Sequence, residues 1–139
     1  MFAFEHTSLE NFQGSFGEIK RFLQEKGYDE GGNWEYDHGY FDKKIADSPG
    51  YLFIRIPIIV QEGTFGEDEA RVKIGTPFLL RHKYQIGNDD HVHVTLANAS
   101  LNQFAEPQDP DASLEQDEID STWEIIRRLE EDFQASFKR

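Results

Sequence analysis

Between Gly31 and Gly63 the chain reads GGNWEYDHGYFDKKIADSPGYLFIRIPIIVQEG, and apolar and polar positions alternate through much of it. Alternation at a period of two sends successive side chains to opposite faces of a strand. The stretch predicts three consecutive antiparallel strands. Asn33–Asp37 and Tyr40–Ile45 flank His38-Gly39, where a two-residue loop calls for positive φ. Gly accepts that freely and His is among the more tolerant other residues. This register sets Tyr36 opposite Phe41, Trp34 opposite Lys43 and Glu35 opposite Asp42. The next turn contains Asp47-Ser48-Pro49-Gly50, residue types that tight turns use. A four-residue loop there sets Ile45 opposite Leu52 and Asp42 opposite Arg55, whereas a five-residue loop puts Arg55 on the apolar face with Phe41. A slip of one residue exchanges the faces of a strand. The four-residue option keeps Leu52, Ile54, Ile56 and Ile58 together on the core side.

The remaining pattern supplies the other elements. Met1–Gln13 holds short alternating stretches, Phe2 and Phe4 among them, that supply a first strand. Ser15-Phe16-Gly17-Glu18 matches a capping box, and a helix follows to Lys26 with Ile19, Phe22 and Leu23 on one side. Gly27 stands where a left-handed C-cap belongs. Ala70–Gly75 alternates as a further strand whose pairing partner is left open. Phe78–Tyr84 reads equally as a short helix or an extended segment, His91–Leu96 as an additional strand, and Asn98–Ser113 as a surface connection. In the last segment Ile119, Trp123, Ile126, Leu129, Phe133 and Phe137 recur at steps of three and four, the stripe of a helix packed along one side. That helix begins at Ser113, with Gln116 completing a capping box, or a turn later at Asp117. The element order β-α-β-β-β-β-α predicts an α+β fold: a twisted antiparallel sheet of about five strands with two helices on one face. TATA-binding-protein-like and helix-grip folds share that order, an analogy for architecture alone.

Composition narrows the setting. The 139 residues suit a single α+β domain over 1–139. At 37% hydrophobic and 14% aromatic, the chain is too apolar to remain disordered. It contains no run of about 18 apolar residues of the kind that spans a bilayer. MFAFEHTSLENF has neither a basic start nor a long apolar run, so it does not read as a signal peptide. There is no cysteine, which excludes disulfides, thiolate chemistry and Cys-type zinc sites. A cytoplasmic location fits these features. With 27 acidic against 14 basic residues the formal charge is −13. Nucleic-acid binding needs clustered Lys and Arg, so nucleic acid and anionic membrane are not expected partners. The acidic excess serves solubility.

Candidate chemistry is sparse. The outward side of the strands carries Glu35, Asp42 and Arg55 in a row, with Tyr40, Tyr51 and Phe53 around it. Two carboxylates directly opposite repel, and a bidentate Arg55 beside Asp42 relieves this. The row reads first as a surface ion-pair ladder, worth about 0–1 kcal/mol, and otherwise as a binding or acid–base cluster. His82, His91 and His93 form one metal-like constellation, since His91 and His93 share a face in a strand and His82 or Asp89-Asp90 could add a third ligand. The spacing matches no strict zinc motif, and surface or hydrogen-bonded histidines are commoner than a true site. GxGxxG, Walker A, HExxH and GxSxG motifs are all missing. The aromatic residues are accounted for by a two-layer core, with a ligand pocket under the long helix as the alternative.

Four phrases, GGNWEYDHGYFDKKI, YLFIRIP with the EG after it, IGTPFLLRHKYQIG and NQFAEPQDPDA, resemble the YugN-like family of small bacterial proteins, which has no established biochemical function. The resemblance implies a bacterial cytoplasmic protein with an α+β fold and supplies no catalytic residues. The expectation is therefore a non-enzymatic binding or interaction module that needs no cofactor. It would bind a protein partner or small ligand at the polar sheet face around Glu35, Tyr40, Asp42 and Arg55 or at the loops carrying His82–His93, and homodimerisation fits an open sheet. The alternatives are a small-molecule or lipid carrier with a cavity under the C-terminal helix, and a metal-dependent enzyme using His82, His91 and His93.

Overall fold

A computed structural model describes residues 1–32, 34–47, 50–82 and 114–137. In chain order they form β1 (Phe2–Ala3), β2 (Gln13–Ser15), α1 (Phe16–Glu25), β3 (Asp29–Glu30), β4 (His38–Ala46), β5 (Tyr51–Glu62), β6 (Arg71–Ile74), β7 (Phe78–His82) and α2 (Gln116–Ser136). All the strands belong to one antiparallel sheet. The fold is α+β, as the pattern predicts. The sheet has seven strands because the N-terminal segment splits into β1 and β2 and because Phe78–His82 is extended.

β5 is the spine. One edge pairs with β4 along most of its length, and the other pairs with β7 through Tyr51–Arg55 and with β6 through Ile58–Glu62. β6 also pairs with β2, and β7 with β1. Leu52, Ile54, Ile56 and Ile58 are buried on one side, and Arg55 stands opposite Asp42 on the other, in the expected register. Nearer the turn the register shifts by one: Ala46, not Ile45, faces Leu52. Ile45 is the extra residue of a bulge, and the local bend lets both Ile45 and Ala46 pack against the core.

The predicted hairpin about His38-Gly39 does not form. The strand beside β4 is β3, with Asp29 opposite Asp42 and Glu30 opposite Phe41. His38 and Gly39 lie inside β4 without positive φ, and the tight turn is at Tyr36-Asp37, where Glu35 bridges to His38. The backbone of this segment is recruited elsewhere: the Val60 amide donates to the Asp37 carbonyl at 2.9 Å and the Phe65 amide to the Tyr36 carbonyl at 2.8 Å. Trp34 stacks on Phe65, with centroids 5.6 Å apart. The Phe65 ring in turn lies so close over Gly39 that an added Cβ would fall 2.4 Å from its Cζ. The glycine serves a close approach, not a turn.

Both helices cover the inward face. Ser15 caps α1 through the expected box with Glu18, and Gly27 has φ +91° just past its end. Phe16, Ile19, Phe22 and Leu23 are buried beneath α1. From α2, Ile126, Leu129 and Phe133 are buried, with Ile119, Trp123 and Phe137 partly so. Phe22 meets Phe133 edge-on at 5.3 Å, and Trp123 meets Phe4 at 4.8 Å. α2 starts at Gln116 with Glu115 as N-cap, between the two predicted starts. No described helix is long and apolar enough to cross a membrane. The predicted strand His91–Leu96 and connection Asn98–Ser113 lie outside the described residues.

Candidate functional site

Alternation along β5 carries Tyr51, Phe53, Arg55, Pro57 and Ile59 to the face away from the helices. Opposite them β4 places Lys44, Asp42 and Tyr40, and β7 places His82, Leu80 and Phe78. Arg55 is the centre of this surface. Its Nε donates to Asp42 Oδ1 and its Nη2 to Asp42 Oδ2, both at 2.9 Å. The guanidinium carbon lies 5.0 Å from the Tyr40 ring centroid. The two charged side chains are only 24% and 16% exposed, so the two-point contact is less screened than an open surface pair. A Cβ on Gly31 would meet Asp42 Oδ2 at 3.2 Å, so Gly31 is part of the close fit around the carboxylate.

Tyr40, Asp42 and Arg55 thus converge. Glu35 does not join them: it sits at the Tyr36-Asp37 turn, and Asp29 occupies the position opposite Asp42. Around the pair the surface is apolar and aromatic. Tyr51 and Ile59 are exposed, and Phe53, Pro57 and Phe78 are half-buried. Leu80, on the same face, is buried, so the middle of this side of the sheet is both apolar and shielded.

His82 ends β7 opposite Tyr51, its ring 5.3 Å from that of Phe53. Burial, and secondarily the positive charge of Arg55, push its imidazole below the ordinary 6.5, while Asp42 pulls the other way. His91 and His93 lie outside the described residues. Among the described residues no group of three His, Cys, Asp or Glu side chains could hold a metal ion.

An inward arginine escaped the sequence reading. Arg81, facing the core beside Leu52, is buried and gives its Nη2 to both carboxylate oxygens of Glu118 in the first turn of α2. Glu118 also accepts from the Glu115 amide at 2.9 Å. The Arg81 hydrogen bond is the main reason its carboxyl lies below the usual range. The signal was latent in Phe78–Tyr84: read as a strand, that segment sends Leu79 and Arg81 inward together, and an inward arginine requires an acid.

The YugN-like family model matches residues 5–133. The chain is 42% identical over 114 residues to the uncharacterized protein YugN of Bacillus subtilis (strain 168), covering 82% of this chain and 85% of that protein. It is 29% identical to the uncharacterized protein YlbA of the same organism, over 63% of this chain and 72% of that one. The crystal structure of the uncharacterized conserved protein YugN from Geobacillus kaustophilus HTA426 superposes with a TM-score of 0.71, covering 97% of each chain at 16% identity, which speaks for the fold alone. With the family model spanning nearly the whole chain and a relative this similar along most of its length, the protein belongs to the YugN-like family.

Proposed function

We propose that the protein is a non-enzymatic interaction module, and that its contact surface is the outward face of β4, β5 and β7 centred on Arg55. The observation that carries this reading is the outward row of the central strand, where Tyr51, Phe53, Pro57 and Ile59 surround an arginine that is already held in place. Aromatic rings with a preordered arginine are what the energetic centres of protein interfaces are made of. Holding Arg55 against Asp42 and Tyr40 in advance lowers the entropy lost when a partner arrives.

The partner best suited to this face is a second copy of the chain. The molecule carries −13 overall, so most of its surface repels another copy. The strand positions of this face are closer to balance: Lys44, Arg55, Arg71 and Lys73 stand against Asp29, Asp42 and Glu62. Two such faces meet without stacking acid on acid. A two-fold dimer buries the same patch on both chains. The lipid-carrier alternative has less support, because Phe4, Phe22, Trp123 and Phe133 already pack edge to face in the layer a lipid would occupy.

Light scattering coupled to size exclusion tests the reading. The expected mass is twice the 16.1 kDa of one chain, falling to a single chain in Phe53→Glu with the fold intact by circular dichroism. A wild-type protein that stays at 16.1 kDa at high concentration contradicts it.

A further inference from the structure

We propose a second site, on the opposite side of the sheet: a cleft between α2 and the β3–β4 edge that binds a small organic anion through carboxylate or phosphate oxygens. The cleft measures about 300 Å³, the low end of ordinary ligand pockets. Tyr28 lines it and is almost wholly buried, yet its hydroxyl has no hydrogen-bond partner among the described residues. A buried hydroxyl left unsatisfied is costly and calls for an explanation. Lys43 stands beside it, with Nζ 5.6 Å from the Tyr28 ring centroid. This lysine points inward from β4, opposite Ile54, and its ammonium donates to the Lys26 carbonyl at 3.1 Å.

Charge accounting favours an anion. Two carboxylates line the cleft, but both are engaged: Asp132 with Lys26 at 3.1 Å and Glu124 with Arg127 at 2.5 Å. Lys43 and Arg128 remain, and neither has a carboxylate partner among the described residues. Lys43 over the Tyr28 ring and Arg128 in the same cleft, both without a carboxylate partner among the described residues, make a local positive field in a chain of charge −13. Leu129 and Ile125 supply an apolar wall, which suits the hydrocarbon body of an organic acid better than a bare ion. The hydroxyl itself is sealed from solvent, so on this proposal the ligand engages Lys43 and Arg128 first and reaches Tyr28 as the cleft opens.

The test is an NMR titration with inorganic phosphate and, separately, with benzoate, at ionic strength held constant with chloride. The proposal expects saturable shifts at Tyr28, Lys43 and Leu129 with at least one probe. It expects affinity to fall roughly tenfold in Arg128→Gln, an exposed substitution that leaves the fold intact. Tyr28→Phe should also weaken binding while leaving the free protein at least as heat-stable as before. No saturable shift with either probe, equal affinity in Arg128→Gln, or a lower melting temperature for free Tyr28→Phe would overturn it. None of these residues lies on the outward face, so the outcome is independent of the dimer.

Discussion

Gly39 and Phe65 decide how the long hairpin closes. The ring lies where the side chain of any other residue at 39 would have to be, and it is wedged between Trp34 and Phe16, with the Phe16 centroid 4.8 Å away. A buried ring held on both sides cannot swing clear of a new methyl group. Gly39→Ala should therefore destabilise the protein by roughly 2 kcal/mol, the usual cost of overpacking. Equilibrium urea unfolding checks this, and Phe65→Leu in the Gly39→Ala background should return part of the loss. A neutral Gly39→Ala would contradict the wedging of the Phe65 ring over residue 39. Arg55 and Arg81 make a contrasting pair at the same scale. One is partly exposed on the outward face, where it is held by Asp42. The other is buried and serves to fasten a helix.

The fastening of α2 is the main event among elements. Its apolar stripe fixes which side faces the sheet, but a stripe alone allows sliding along the helix axis. Glu118 on Arg81 sets the longitudinal position and helps close the first turn. Replacing Glu118 by Gln removes the carboxylate charge that Arg81 meets in the first turn of α2, and should cost about 2 kcal/mol. The pH dependence has a definite sign. Folding depresses the Glu118 pKa, so its contribution is complete above the ordinary 4.5 and is lost as pH falls through the lower folded value. Thermal melts from pH 6 to 3 should show the wild type converging on Glu118→Gln at the acid end; a constant gap between the two would refute the pairing.

Legibility followed the range of the interactions. The α1 capping box, the left-handed Gly27, the inward aliphatic row of β5 and the stripe of α2 are all set within a few residues, and the sequence pattern conveys them. The β3–β4 pairing was not legible, because Tyr36 and Asp37 spend their carbonyls on Phe65 and Val60, more than twenty residues on. The strand character of Phe78–His82 was likewise hidden, since its partner is the first half of β5 and its inward arginine depends on α2. Of the candidate site, Asp42 and Arg55 came from a local register that held, and Glu35 from one that long-range hydrogen bonds displaced.

At the scale of the whole molecule, the two sides of the sheet differ in kind. The inward side is filled by two helices, while the outward side presents rings and a preordered arginine from a strongly acidic chain. The absence of cysteine makes this asymmetry directly measurable, because one introduced thiol can be labelled without background. Ile59 is exposed at the outward face, and Gln134 is exposed on α2 behind the opposite face. Spin labels attached to Ile59→Cys and, in a second sample, Gln134→Cys report the distance between equivalent sites in two associated chains. The dimer proposed here predicts a short, well-defined separation for labels at 59 and a much longer one for labels at 134. A closer approach at 134, or no dipolar coupling from 59 at high concentration, would contradict it.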